Sequence, residues 1–120
     1  MKTNRTRRPH QDLDVWNVAM ELVTECYKIT RDFPREELFV LVPQMRRCAV
    51  SIVSNISEGA ARRGKNELPH FLSIARGSLS ELETQLLIAV ALGYLNSNQD
   101  IFSLIDRVFS MLNALLKSLK

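Results

Sequence analysis

The residues predict an all-α protein, folded as an up-down-up-down antiparallel four-helix bundle. Apolar residues recur at steps of three and four in four separate segments, the 3.6-residue period of a helix with one buried face. No segment alternates with the period of two that a half-buried strand requires. Connections of about three to nine residues join the periodic segments, and short connections favour antiparallel neighbours.

The first helix spans Leu13 to Phe33, where Val15, Ala19, Leu22, Cys26, Ile29 and Phe33 form the buried stripe. Trp16, Met20, Val23 and Tyr27 repeat the spacing on an adjacent shoulder, so the apolar surface is wider than one seam needs. Pro34 stops this helix, because a residue before proline is disfavoured in the α region. Arg35 to Leu41 is a connector of about one helical turn. Pro43 suits the first turn of the second helix, which carries Met45, Ala49, Ile52 and Ile56 inward and runs to about Ala61. Asn66 is the expected N-cap of the third helix, with Phe71, Ala75, Ser78, Leu82, Leu86 and Ala89 inside and Gly93 as its C-terminal cap. Ser97 to Asp100 resembles a capping box for the fourth, whose stripe is Ile101, Ile105, Val108, Leu112, Leu115 and Leu119.

A chain of 120 residues makes about one domain, and 46% apolar residues with only four Gly and four Pro exclude a disordered or collagenous chain. The longest apolar run, Leu86 to Leu92, falls far short of the roughly 20 residues that span a bilayer, and no apolar region follows the N-terminal charges. A soluble cytoplasmic protein is expected, with Cys26 and Cys48 as reduced, buried thiols. The run Leu86 to Leu92 is nevertheless apolar all round, and such a helix is covered on every side. Self-association through Trp16, Met20, Tyr27, Ile88 and Leu92 covers it; a thick core at the closed end of the bundle is the alternative.

The formal charge of +3 is unevenly spread: residues 1–11 carry +4 and residues 42–65 carry +4, while all other segments are acidic. Residues 1–11 are accordingly expected to form a basic flexible tail, and residues 12–120 the bundle. Arg5, Arg7, Arg8, Arg46, Arg47, Arg63 and Lys65 are the candidate phosphate contacts, since cations that neutralise phosphates bind nucleic acid without sequence preference. No aromatic residue interleaves them, so base stacking has no support. Arg62 stands four residues after Glu58 and is equally placed for an intrahelical ion pair. Arg47, Ser51, Asn55, Glu58 and Arg62 share one polar stripe, which suits a polar seam within or between subunits, or a ligand groove.

Catalytic and metal chemistry find little. Glu67-x-x-His70 has the spacing of a di-iron carboxylate bundle, but the motif occurs once and His70 lies off the inner face. Glu81 and Glu83 point about 160° apart on a helix. No phosphate-binding glycine loop and no Ser-His-Asp set is present. No cofactor, metal or enzymatic role is expected.

The string Leu13-x-Val15-Trp16, Tyr27-x-x-Thr30-x-x-Phe33-Pro34-x-x-Glu37, Gln44-x-Arg46-Arg47-x-x-x-Ser51-Ile52-x-x-Asn55-Ile56-x-Glu58-Gly59-x-x-Arg62, Ala75-x-Gly77-Ser78-Leu79-x-Glu81-Leu82-Glu83 and Leu92-Gly93-Tyr94 covers nearly the whole chain. It resembles the four-helix-bundle family encoded in intervening sequences of bacterial 23S ribosomal RNA genes. The resemblance implies a homopentamer, similar in shape to the pentameric accessory protein of the reverse transcriptase in diversity-generating retroelements. It implies no enzymatic activity. The chain departs from the family at Val53, where Pro is frequent, and at Pro43, where Thr or Ser is frequent; both bear on the bend and entry angle of the second helix. Two functions follow as expectations: a pentameric ring that binds RNA or other nucleic acid through its basic blocks, or an adaptor ring that recruits a protein partner such as a reverse transcriptase.

Overall fold

The computed structural model describes residues 5–120, so the first four residues of the basic tail lie outside it. A short 3-10 turn at Pro9–Asp12 leads into α1 (Asp14–Thr30), α2 (Leu41–Ala61), α3 (Glu67–Ala91) and α4 (Asp100–Ser118). A second 3-10 turn, Arg35–Glu37, lies between α1 and α2, and no strand occurs among the described residues. Helices α1 and α3 each pack on α2 and α4, which places α1 and α3 at diagonal corners.

Cross-helix contacts fix which ends meet. Near the start of α1, Trp16 Nε1 donates to Ser57 Oγ near the end of α2 (3.0 Å). Near the start of α2, Arg46 reaches back to Thr30 and Tyr27 at the end of α1. Ser51 and Ser78 hydroxyls meet at 2.9 Å, and Gly59 abuts Leu68 and Phe71, so the end of α2 faces the start of α3. Arg76 Nη1 donates to Asn113 Oδ1 (2.9 Å), tying the early part of α3 to the late part of α4.

The stripes of three helices enter the core over most of their length, with Ile29, Phe33 and Leu115 half-buried and Leu119, beyond the end of α4, exposed. Val15, Ala19, Leu22 and Cys26 of α1, Met45, Ala49, Ile52 and Ile56 of α2, and Ile101, Ile105, Val108 and Leu112 of α4 are all buried. Each such Leu or Ile contributes about 1.5–3 kcal/mol of transfer free energy. Helix α3 buries Ala75, Leu82, Leu86 and Ala89 as expected but departs at two positions in its first half, where Leu72 and Leu79 are fully buried and Phe71 and Ser78 only half-buried. Ser78 is held at the α2 seam by Ser51, and the Phe71 ring lies on the flank beneath Arg62.

Helix ends depart from expectation in two places. Helix α1 stops at Thr30 rather than Phe33, because the Asp32 and Phe33 amides bond to the carbonyls three residues back and tighten the chain ahead of Pro34. Gln99, not Ser97, precedes α4, and neither Gln99 nor Asn66 caps through its side chain. The end of α3 is as predicted. The Tyr94 amide bonds to the Ala89 carbonyl (2.8 Å) and the Gly93 amide to the Val90 carbonyl (3.0 Å), a Schellman turn that needs the positive φ of Gly93, +84°.

The apolar run at the end of α3 is not covered by its own chain. Leu86 and Ala89 are buried, yet Leu87, Ile88 and Leu92 are 54%, 44% and 54% exposed. A thick core therefore does not describe it. Trp16, by contrast, is engaged within the chain: besides its bond to Ser57, its ring lies 5.0 Å from that of His10. Met20 and Tyr27 remain exposed on the same shoulder.

Candidate nucleic-acid interface

The helix pairing brings four distant stretches to one end of the molecule: the Arg5–Asp12 segment, the α2–α3 turn, the start of α3 and the end of α4. Arg5, Arg7, Arg8, Arg62, Arg63, Lys65, Lys117 and Lys120 stand there, against Asp12, Asp14, Glu58 and Glu67. At the opposite end Arg31, Arg35, Arg46 and Arg47 are matched by Asp32, Glu36, Glu37 and Asp100. One end is thus strongly basic and the other balanced.

The cations of the basic end differ in how they are held. Arg7 donates through Nε and Nη2 to Asp12 Oδ1 (3.1 and 3.0 Å) and through Nη2 to the Gln11 carbonyl (2.8 Å), which folds the segment onto the 3-10 turn. The Arg8 amide donates to Gln11 Oε1 (2.6 Å), leaving the Arg8 side chain exposed. Arg62 pairs with Glu58 (2.7 Å) and lies 5.3 Å over the Phe71 ring. The Glu58 carboxylate raises the Arg62 pKa still further, so Arg62 has a structural partner already. Arg63 and Lys65 project from the turn and are exposed.

Between α3 and α4 the basic end continues as a groove of about 570 Å³ in which Ser73, Arg76, Asn113, Lys117 and Lys120 are set beside Leu116. The Asn113 bond orients the Arg76 guanidinium. Arg76, Lys117 and Lys120 were not among the residues expected from sequence. Arg76 stands between Glu67 and Glu81, and Lys117 and Lys120 belong to an acid-free stretch, residues 107–120, whose charge is hidden when residues 66–120 are summed to −1.

Arg46 and Arg47 belong elsewhere. They lie in the first turns of α2, whereas Arg62 and Arg63 follow its last residue, Ala61, about 14–15 helical positions on and about 22 Å away along the axis. Arg46 stacks on Tyr27 at 4.5 Å, donates through Nε to Thr30 Oγ1 (3.0 Å) and reaches the Tyr27 carbonyl with Nη2 (3.3 Å), so it fastens α2 to the end of α1. The stripe Arg47, Ser51, Asn55, Glu58, Arg62 is likewise divided. Ser51 meets Ser78 within the bundle, Asn55 bonds back to Ser51, and Glu58 with Arg62 lies on the basic end.

Among the described residues no three His, Cys, Asp or Glu side chains converge as a metal site. His70 is exposed and packs edge-on to Phe71. Burial pushes the Cys26 thiol up to about 12 and the Cys48 thiol up to about 11, the latter also through its hydrogen bond to Glu81; neither is poised as a nucleophile. No helix of the described residues is long and apolar enough to cross a membrane.

Fold and surface together define an all-helical four-helix protein polarised in charge along its length. The family model described as 23S rRNA-intervening sequence protein matches residues 11–114, and the chain belongs to that family. A comparison with curated proteins gives no match.

Proposed function

We propose that the protein is a non-catalytic, cytoplasmic subunit of a homopentameric ring of up-down-up-down bundles, and that it binds RNA or other nucleic acid through its basic end. The observation that carries this is the convergence of Arg8, Arg63, Lys65, Lys117 and Lys120, from stretches far apart in sequence, on one end of the bundle. Cations so gathered release counterions from a phosphate backbone and give affinity without base readout. A ring repeats the basic end once per subunit and multiplies a weak contact by avidity. Uncovered Leu87, Ile88 and Leu92 support the self-association.

Filter binding of the intact protein to RNA, DNA and a polyanion control over a series of salt concentrations tests the nucleic-acid part, and light scattering tests the ring. Binding to all three that weakens steeply with salt is the expected result. No binding to any of them at low salt overturns it and leaves the adaptor role, in which the ring recruits a protein partner such as a reverse transcriptase.

A further inference from the structure

The connector between the Arg35–Glu37 turn and α2 presents Leu38, Phe39 and Val40 to solvent at 50%, 87% and 56% exposure. Burying a phenylalanine side chain contributes about 1.5–3 kcal/mol, so a ring left this bare is surface awaiting a partner. Beside it the molecule is concave. A cavity of about 450 Å³ is lined by Tyr27, Leu38, Val42, Arg46, Arg47 and Val50, with Val42 buried as its floor. The Tyr27 wall is held in place by Arg46, itself fixed by Thr30.

Charge is divided between the knob and the cavity. Immediately before the knob stand Glu36 and Glu37; Glu37 Oε2 accepts the Tyr94 hydroxyl (2.8 Å), whereas Glu36 is exposed and makes no ion pair with any described residue. On the rim of the cavity Arg47 is also exposed and also without an ion pair among the described residues. The chain therefore carries an apolar knob next to an unpaired acid, and an apolar hollow next to an unpaired base. The partner that fits both is a second copy of this chain.

We infer that Phe39 of one copy seats in the Tyr27, Val42 and Val50 hollow of the next, with Glu36 of the first facing Arg47 of the second. This rests on the self-association proposed above and names its contact. Stable interfaces bury about 1,200–2,000 Å², more than one ring supplies. The exposed Leu92 lies at the same end of the bundle, since neighbouring Tyr94 is bonded to Glu37, and exposed Leu87 and Ile88 precede it on α3 as further apolar surface for the same copy-to-copy contact to draw on. Each copy offers one knob and one hollow, so engaging different neighbours makes a head-to-tail contact, which closes a ring where the rotation from copy to copy closes.

Light scattering of the full chain over a concentration series reads the outcome, with far-ultraviolet circular dichroism in parallel. Phe39→Glu is expected to weaken association by on the order of 100-fold, the loss typical of a central aromatic anchor. Helical content and melting of the separated subunit should not change, because Phe39 makes so little contact within its chain. Glu36→Arg and Arg47→Glu should each weaken association by roughly 10-fold, and the two together should restore it. A parent that stays oligomeric with Phe39→Glu of unchanged mass, a loss of helix in that variant, or a double charge reversal that does not restore assembly overturns this contact while leaving self-association standing. A monomeric parent overturns both.

Discussion

Gly59 of α2 and Phe71 of α3 are in such close approach that a Cβ built on Gly59 would lie 2.8 Å from the Cβ of Phe71 and 3.1 Å from Leu68 Cδ1. The obstructing Phe71 atom is fixed to the backbone, so relief requires α3 to move. Gly59→Ala would gain about 0.5–1 kcal/mol in helix propensity but lose about 1–3 kcal/mol to overpacking. The expected net effect is a loss of up to about 2.5 kcal/mol, centred near 1 kcal/mol, seen as a lower urea midpoint. A raised midpoint would mean the two helices separate there at no cost.

The two thiols give the fold an alkaline limit. Cys26 and Cys48 ionise from an ordinary value of 9.0 in the unfolded chain but at about 12 and about 11 in the fold, chiefly through burial. Both folded values are raised, so the native state holds its protons longer. Their contribution is complete well below pH 9 and is lost as pH rises toward the folded values, with a slope per thiol that grows through this range toward a limit of about 1.4 kcal/mol per pH unit. Stability should therefore fall between pH 9 and pH 10. In the Cys26→Ala, Cys48→Ala double variant that fall should be shallower, whatever the variant's stability at pH 8. Parallel pH profiles for parent and variant would refute the assignment.

Ile88 and Leu82 lie on one helix, one exposed and one fully buried. Leu82→Glu places a carboxylate in a dry core and should unfold the bundle. Ile88→Glu should leave helical content intact and dissociate subunits. Circular dichroism with light scattering separates these effects, and equal unfolding by both substitutions would place Ile88 in the core.

Much of the fold was legible because α2 and α4 have narrow stripes, and α1, though its Trp16 to Tyr27 shoulder widens the apolar surface, still keeps that surface to one side, so only one face can be buried. Helix α3 is apolar over a wider arc, so periodicity could not decide between Phe71 with Ser78 and Leu72 with Leu79; the close approach at Gly59 and the Ser51 contact decide it. Exposure of Leu38, Phe39 and Val40 was illegible for a similar reason. An apolar connector reads alike whether it packs inward or outward. Of the basic end, Arg63 and Lys65 stand in a visible charge run. Arg76, Lys117 and Lys120 join them only because α4 returns alongside α3, a tertiary fact that no local charge count contains. Arg46 and Arg47 show the converse, sharing that run with Arg63 yet lying most of a helix length away.

The basic end yields the sharpest test of nucleic-acid binding. Arg63→Ala with Lys65→Ala removes two exposed cations that touch nothing in the core, and Lys117→Ala removes a third from the α3–α4 groove. Affinity for RNA should fall by similar factors for unrelated sequences, since phosphate contacts position a protein without specifying bases. Removing each phosphate-binding cation should also flatten the dependence of log affinity on log salt by about 0.7–0.9. Unfolding lowers the active fraction but cannot change that slope, so slope and melting temperature together distinguish a missing cation from a damaged fold. Arg46→Ala is the contrasting case: it removes the stack on Tyr27 and the bond to Thr30, and should lower stability with the salt slope unchanged. If the triple variant binds RNA with the parent's affinity and slope, phosphate contact does not occur at this end. If Arg46→Ala alone flattens the slope, the nucleic acid lies along the opposite end of α2.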